Sequence, residues 1–257
     1  MLQVNNKKKS HSIIIKDLFS SLIFAFIFAF LFEAFFYQPF RIPSESMNPG
    51  LQVGDYLFVQ KFAYGYNNSS MPFTFNKIKL FNKSVFFSNP KRGDVIVFLL
   101  TKDNSCHYIK RLIGLPGDII QIKEGSLYIN NVVIRKKHIS NLYNNIDQFD
   151  IINENNIFIE TLPNGVHYKI HKKSGKLIHF QNFDHNNTPV YRVPKDHYFF
   201  MGDNRDNSID SRFLTKVGYI HKNNVLGKAK FLFLTSDFSV LDFIKNFNTK
   251  RAFKIIK

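Results

Sequence analysis

Two serines lie close together in the stretch IPSESMNPG, from Ile42 to Gly50. Ser44 and Ser46 are separated by one residue, and the two prolines of the stretch exclude a helix across it. Serine pairs in turns usually serve only to hydrogen-bond the local backbone. A serine nucleophile needs a base, because the hydroxyl is weakly nucleophilic at neutral pH. The chemistry of this stretch therefore depends on what the rest of the chain supplies.

Other local patterns of serine chemistry are weak in this chain. None of the nine histidines lies in a familiar triad context, and the G-x-S-x-G pattern is missing. The stretch SNPK at 88–91 fits S-x-x-K, but that motif needs a helix and Pro90 disfavours one. The tripeptide RGD at 92–94 runs into a strand-like pattern and predicts a turn rather than an adhesion signal.

Lys110, in the stretch HYIKRLIGLPGD, is a candidate for the base. Its apolar neighbours predict a buried strand, and burial lowers the pKa of a lysine by disfavouring the ammonium. A general base at neutral pH needs that pKa lowered from about 10.4 to roughly 7–8, which corresponds to about 3–5 kcal/mol. Taken alone, the stretch fits a surface lysine beside Arg111 better, so the assignment needs independent support.

The stretch MGDNRDNSIDSR at 201–212 is a third polar cluster. Its alternating charges are typical of a solvated loop. Its carboxylates also raise the question of calcium, but the spacing does not match an EF-hand loop. Since zinc-type clusters of His and Cys are missing as well, we predict no metal and no cofactor.

The composition sets limits on fold and partners. The chain has 257 residues, enough for one large or two small domains, and a net charge of +16. Such a charge favours an anionic partner, either nucleic acid or an acidic lipid surface. The single cysteine, Cys106, excludes an internal disulfide.

Residues 18–40 carry one charge, Glu33, and are long enough to span a bilayer. Four lysines precede them, so the positive-inside rule predicts a cytoplasmic N-terminus. We therefore predict a basic cytoplasmic tail at 1–17 and a membrane anchor at 18–37, with the remainder outside, which argues against nucleic acid as a partner. The alternatives are a buried core helix and a cleaved signal peptide, but no A-x-A-like cleavage site is present.

Beyond the anchor, the pattern is that of short strands bounded by Gly, Asp and Asn. The strand-like runs are DYLFVQKF, GDVIVFLL, DIIQIKEGSLYINNVVI and GKAKFLFLTSDF. The pair Asn130 and Asn131 predicts a hairpin turn, and PNG at 163–165 predicts another turn. The last stretch, from residue 240, is expected to be helical or frayed and to contact lipid.

The predicted fold is mainly β. It has one N-terminal transmembrane helix, followed by an antiparallel β-sheet domain formed by residues 38–121 and 196–257. Residues 122–195 are richer in Asn, His and Lys and are predicted to form an inserted, smaller β-rich domain.

Three stretches in this order, after a membrane anchor, resemble bacterial type I signal peptidase, a family of Ser-Lys proteases. They are PSESM, YIKRLIGLPGD and GDNRDNSIDSR. VGDYLFVQKFAYG, PKRGDVIVF and YRVPKDHYFFMGDN resemble further parts of the family, so the likeness covers residues 36 to 235. The resemblance implies an endopeptidase that removes signal peptides from exported preproteins after small residues at −1 and −3.

The resemblance also implies roles for single residues. Ser46 would be the nucleophile and Lys110 the general base. Ser208 would hydrogen-bond the lysine amine and orient it, and Ser44 would form the oxyanion hole with the Ser46 backbone N–H. The expected lining of the substrate pocket is Phe40, Ile42, Met47, Leu51, Tyr108 and Ile109. The residues expected to lock the loop of Ser208 by ion pairs, with Arg111 as a further partner, are Asp203, Arg205, Asp210 and Arg212.

By the same resemblance, we expect a monomer in the bacterial inner membrane with its site on the periplasmic side. Its partners would be signal peptides and membrane lipid. A self-cleaving repressor shares the Ser-Lys pair, but it needs a DNA-binding helix-turn-helix before the catalytic part. In this chain the predicted membrane span occupies that place, within residues 1–40. A non-enzymatic, anchored basic β protein predicts that Ser46→Ala and Lys110→Ala leave function intact. A peptidase dedicated to one precursor fits the same motifs.

Overall fold

The computed structural model describes residues 3–66, 70, 88–100, 106–139, 156–172, 183–234 and 254–256, with side chains from residue 13 onward. Within these residues the chain forms one long α-helix and 15 strands. All pairings between strands are antiparallel. The prediction of a mainly β fold behind one N-terminal helix is confirmed.

The helix α1 runs from Gln3 to Phe35. Its apolar part, Ile13–Phe35, has a mean hydropathy of 2.2 and is long enough to cross a membrane. All side chains of this part are exposed except that of Ala34, which argues against the alternative of a buried core helix. Because the helix begins at Gln3, the predicted basic tail is helical as well. The helix ends two residues before the predicted end of the anchor.

The strands overlap each of the four predicted runs, and further strands lie outside these runs. In chain order they are β1 Tyr37–Arg41, β2 Tyr56–Gln60, β3 Val95–Leu100, β4 Cys106–Gly114, β5 Ile119–Lys123, β6 Ser126–Ile129, β7 Val132–Val133, β8 Arg135–His138, β9 Ile157–Thr161, β10 His167–His171, β11 Tyr191–Arg192, β12 His197–Met201, β13 Ile220–His221, β14 Val225–Leu234 and β15 Lys254–Ile255.

These strands form three sheets. The largest has the order β1-β2-β14-β3-β4-β12-β13, with β15 paired to β14. The two smaller sheets have the orders β10-β9-β8 and β11-β5-β6-β7. Most of the predicted C-terminal helix or frayed tail lies outside the described residues, but residues 254–255 form a strand rather than a helix.

The smaller sheets correspond to the predicted insertion. The predicted boundary between residues 121 and 122 falls inside β5, so the sheet begins a few residues earlier. One hydrophobic core joins the small sheets to Ile113 of β4 and to Phe199 and Met201 of β12. The inserted sheets therefore pack directly against the main sheet, and the division into two domains stays a prediction.

Both predicted turns are confirmed. Asn130 and Asn131 have φ angles of 53° and 64° and connect β6 to β7, as a type I′ hairpin turn requires. Gly165, with a φ of 80°, lies in the turn between β9 and β10. Residues 88–91 are not helical, so SNPK lacks the helix that the S-x-x-K motif needs.

Candidate active site

Ser46 lies in a single 3-10 turn, Glu45–Met47, shortly after β1. The prolines on either side exclude a longer helix but allow this one turn between them. A hydrogen bond from Asn48 N to Glu45 O, 3.0 Å long, closes the turn. Ser46 is only 7% exposed, so its hydroxyl is held in a fixed and largely desolvated position.

Lys110 lies on β4 and is only 3% exposed. Its Nζ lies 2.6 Å from Ser46 Oγ and 2.9 Å from the carbonyl oxygen of Ile109. Burial lowers the pKa of Lys110 to about 8, although the carboxylates of Asp210 and Asp203 partly oppose this effect. The structure therefore shows a buried lysine, whereas the local sequence favoured a surface lysine.

The two other serines with predicted roles, Ser44 and Ser208, differ from each other in their contacts. Ser44 Oγ lies 3.3 Å from Ser46 Oγ and lines the same groove. Ser208 Oγ is buried, but it has no hydrogen-bond partner among the described residues. The expected bond between Ser208 and the amine of Lys110 is not formed in this structure, so its orienting role stays a prediction.

The charged residues of the loop at 201–212 form buried ion pairs. Asp203 accepts two hydrogen bonds from Arg111, of 2.8 and 2.7 Å. Asp210 accepts two from the guanidinium of Arg212, both 2.8 Å long, and two more from the backbone N of Arg212 at 3.2 Å and of Gly202 at 2.9 Å. Burial opposes the charge of Asp210, but the adjacent Arg212 holds the pKa of that carboxyl below its usual value. Asp203 and Asp210 thus lie in buried ion pairs, and their role in locking the loop stays a prediction.

Arg205 has a partner that the sequence analysis missed. Its guanidinium donates two hydrogen bonds to Glu160 of β9, one of them 2.7 Å long. Tyr168 of β10 donates a 2.8 Å hydrogen bond to Glu160, and its ring lies 4.1 Å from the guanidinium of Arg111. Burial opposes the charge on Arg205, but Glu160 raises the pKa of this guanidinium well above its usual value. The inserted sheet therefore supplies part of the loop's support.

Asn204 connects this support to the turn that carries Ser46. Its backbone N donates to Ser46 O at 3.0 Å, and its side-chain amide donates to Glu45 O at 3.1 Å. The backbone of His171 pairs with the residues on either side of Asn204, and the His171 ring lies 3.3 Å from its amide oxygen. Asn204 stands inside the quoted motif GDNRDNS, which was the signal that could have identified it.

An open groove of about 730 Å³ runs past Ser46 and Lys110. Its lining residues are Pro43, Ser44, Ser46, Cys106, His107, Tyr108, Ile109, Lys110, Asn207 and Ile209. Of the predicted pocket residues, Tyr108 and Ile109 line the groove. Phe40 lies beside it and contacts the ring of His107, with ring centroids 5.5 Å apart.

The other three predicted pocket residues do not reach the groove surface. Ile42, Met47 and Leu51 are at most 3% exposed and belong to the core of the main sheet. The physical reason is that their side chains anchor the loop of Ser46 from behind. Sequence reasoning identified these positions as apolar and close to the nucleophile, but it could not tell the inner face of the loop from the outer one.

The described side chains offer no cluster of metal ligands. Among them, no group of three or more His, Cys, Asp or Glu residues is arranged so that it could hold a metal ion. The acidic residues of the loop at 201–212 are instead engaged by arginines.

A buried amine beside a serine hydroxyl, at the wall of an open groove, is an arrangement typical of hydrolases with a serine nucleophile. The chain matches the family described as "Signal peptidase, peptidase S26" over residues 15–234, and it belongs to that family. The protein is therefore a serine peptidase.

Two relatives from Rickettsia support this membership, and one solved structure is also similar in sequence. Signal peptidase I of Rickettsia typhi is 38% identical over 222 residues, which cover 86% of this chain and 81% of the relative. Signal peptidase I of Rickettsia massiliae is 36% identical over 239 residues, covering 91% of this chain and 85% of the relative. A crystal structure of a signal peptidase I from Enterococcus faecalis is 26% identical, covers 55% of this chain and 97% of that chain, and has a TM-score of 0.32.

Replacing Gly202 by alanine is expected to lower kcat by about 10²-fold, because a displacement of about 1 Å at a catalytic group has that effect. A Cβ at Gly202 would lie 2.5 Å from Ser46 O and 2.3 Å from Ser208 Oγ, so the nucleophile would have to move. The matched control is Gly50→Ala, whose nearest contact would be Asp203 Oδ2 at 3.3 Å. Both kcat values are measured on the same peptide substrate. An equal fall of kcat in the two variants would contradict this account.

Proposed function

We propose that the protein removes N-terminal signal peptides from exported preproteins by means of a Ser46–Lys110 dyad. The observation that carries the proposal is the 2.6 Å contact between the buried Lys110 amine and the Ser46 hydroxyl. Membership of the signal peptidase family supports the class of substrate. Both groups lie at the wall of one groove, which a peptide can enter from solvent.

In this mechanism the neutral amine of Lys110 accepts the proton of Ser46 while Oγ attacks the scissile carbonyl carbon. The resulting ammonium then donates a proton to the leaving amine as the C–N bond breaks, which leaves an ester on Ser46. Neutral Lys110 next removes a proton from water, whose oxygen attacks the ester. The proton finally returns to Ser46 Oγ, and the mature chain and the signal peptide are both free.

The negative charge on the carbonyl oxygen needs a donor in each tetrahedral state. We assign this role to the Ser44 hydroxyl together with the Ser46 backbone N–H, because Ser44 Oγ lies 3.3 Å from Ser46 Oγ on the groove side. Such donors stabilise the charge that develops in the transition state and contribute less to substrate binding.

Ser44→Ala is therefore expected to lower kcat by about 10²–10³-fold with little change in KM, as for other oxyanion-hole donors. Ser44→Thr retains the hydroxyl and is expected to recover part of that loss. Steady-state kinetics on a fluorogenic peptide would measure both parameters. A change confined to KM would show that Ser44 binds substrate and does not stabilise the oxyanion.

The edge of β4 supports binding of the substrate as an extended strand. Along residues 106–111 one edge of β4 pairs with β3, whereas β12 pairs with the other edge only from Arg111 onward. Residues 106–110 precede the pairing of β4 with β12, and they line the groove. Side chains at −1 and −3 of an extended peptide point to the same face, so two small residues would face the protein together.

The location follows from α1 and the charges before it. We propose a monomer in the inner membrane, with its N-terminus in the cytoplasm and its groove on the outer side, where it contacts lipid. The supporting observations are the apolar helix Ile13–Phe35 and the four lysines that precede or begin it.

The test is cleavage of a purified preprotein by the full chain in detergent, with Ser46→Ala alongside. We expect a single cut, mapped by sequencing the new N-terminus, that is lost when −1 or −3 is changed to a large residue. Cleavage that is indifferent to those residues would refute the specificity. Cleavage of only one among several preproteins would indicate a dedicated peptidase.

A further inference from the structure

The last turn of α1 is capped by the catalytic part of the chain. The final carbonyl groups of a helix have no partner within the helix and need one elsewhere. Lys61 Nζ donates to Glu33 O at 3.3 Å, and the backbone N of Lys61 donates to Phe36 O at 3.0 Å. The hydroxyl of Tyr66 donates to Phe35 O at 2.5 Å. Three carbonyl groups at the end of the helix thus bond to residues just after β2.

Lys61 is a buried lysine for which the proposed chemistry has no use. It is 1% exposed, and burial lowers its pKa to about 8 while the Glu33 carboxylate partly opposes this effect. Lysines are almost never fully buried unless they have partners. A hydrogen bond to the carbonyl end of a helix is such a partnership, because that end carries a partial negative charge.

Packing at the same point is close. Ala34 is the one described side chain of α1 that is buried, and it lies in the turn that Lys61 contacts. Phe35 packs edge-on against Tyr66, with ring centroids 6.0 Å apart. Strand β1 begins at Tyr37, so almost no chain separates the helix from the main sheet. The helix and the sheet are therefore joined by side chains as well as by the backbone.

We propose that Lys61 and Tyr66 are specificity-determining positioning residues, which fix the membrane helix relative to the groove. This inference rests on the proposed cleavage of signal peptides at a membrane surface. A substrate held in the same bilayer presents its scissile bond at a limited height. A groove held at a fixed height and orientation meets that bond at a high effective concentration, whereas a groove on a loose hinge does not. A peptide free in solution has no such constraint.

The experiment compares two substrates in proteoliposomes that contain the full chain. One is a membrane-inserted preprotein, and the other is a soluble peptide with the same cleavage sequence. For Lys61→Met, we expect the ratio of the two kcat/KM values to fall roughly tenfold, while the peptide value stays within about twofold of wild type. Tyr66→Phe removes only the hydroxyl and should lower the ratio less, and Lys61→Arg should restore most of it.

The matched control is Lys195→Met, which removes an exposed lysine far along the chain from the cap. The ratio should not change in that variant. An unchanged ratio in the Lys61→Met, Tyr66→Phe double variant would overturn the proposal. Equal losses on both substrates would also overturn it, because they would show a general structural effect.

A direct measurement of the helix position does not depend on activity. Spin labels at Leu31 and Leu214, which are 47% and 46% exposed, report the distance between α1 and the main part of the chain on a Cys106→Ser background. We expect one narrow distance distribution in wild type and a broad one in the double variant. Identical distributions would refute the docking role. If wild type does not cleave preproteins, the proposed function fails, while the label distances still decide the docking.

Discussion

Lys110→Met is expected to lower kcat/KM by about 10⁴-fold or more, because it removes the proposed base that would activate Ser46. Methionine fills similar space but cannot accept a proton. The amine that is lost lies 2.6 Å from Ser46 Oγ, so no other described group is as well placed to replace it. Kinetics on a fluorogenic peptide, with Ser46→Ala as a second inactive variant, measure the effect. Activity within tenfold of wild type would exclude Lys110 as the base.

The pH profile of the wild-type enzyme tests the same assignment independently. Only neutral Lys110 accepts a proton, and its pKa in the folded protein is about 8. The value of kcat/KM is therefore expected to rise about tenfold per pH unit below that pKa and to level off above it. A profile that is flat between pH 6 and 9 would contradict a lysine base.

Stability provides the control against misfolding. The folded-state pKa of Lys110 is lowered from 10.5 to about 8, so the unfolded chain binds more protons between these values. The free energy of unfolding of the wild type should therefore rise with pH between about 8 and 10.5. Below pH 8 the charged Lys110 amine lowers that free energy by its full desolvation cost, about 3 kcal/mol. At pH 7, Lys110→Met should unfold at a denaturant concentration no lower than that of wild type. Above pH 8 Lys110 is neutral in the wild type, so the difference in free energy of unfolding between the variant and wild type should become smaller.

Glu160→Ala is expected to lower the free energy of unfolding by about 3–5 kcal/mol, because it leaves Arg205 buried without its charge partner. Both side chains of this pair are at most 7% exposed. Activity should fall as well, since Arg205 follows Asn204, which holds the carbonyl groups of Glu45 and Ser46. Urea unfolding and kcat on the peptide substrate measure the two effects.

The control for this prediction is an exposed ion pair. Asp196 and Lys222 lie 2.9 Å apart, but their side chains are 42% and 36% exposed. Asp196→Asn should lower the free energy of unfolding far less than Glu160→Ala, since exposed pairs contribute little and Asn tolerates the φ of 61° at this position. The double variant Glu160→Gln, Arg205→Met should be more stable than Glu160→Ala. If Glu160→Ala cost no more than Asp196→Asn, the buried network would have no structural importance.

Much of the local structure followed from the sequence. The apolar run, the strand patterns and the two turn signals were each set by residues close together in the chain, so their elements formed where expected. The three motifs pointed to Ser46 and Lys110, and the structure brings their side chains into contact.

Other features depended on residues that are far apart in the chain. The local sequence of Lys110 favoured an exposed amine, and only the packing of the strands around it made the amine buried. The pairing of Arg205 with Glu160 spans 45 positions and involves the insertion, which no local pattern connects to the motif. Similarly, the apolar character of Ile42, Met47 and Leu51 was evident, but their position behind the nucleophile loop was not.

By itself, then, the sequence determined the mainly β architecture, the membrane-length helix and the identity of the candidate nucleophile and base. Only the tertiary structure decided the burial of Lys110, the support of Ser46 by Asn204 and the capping of α1 by Lys61. The reason is physical. Periodicity and turn chemistry act over a few residues, whereas desolvation and hydrogen bonding between distant side chains depend on which strand edges pair and which faces pack together.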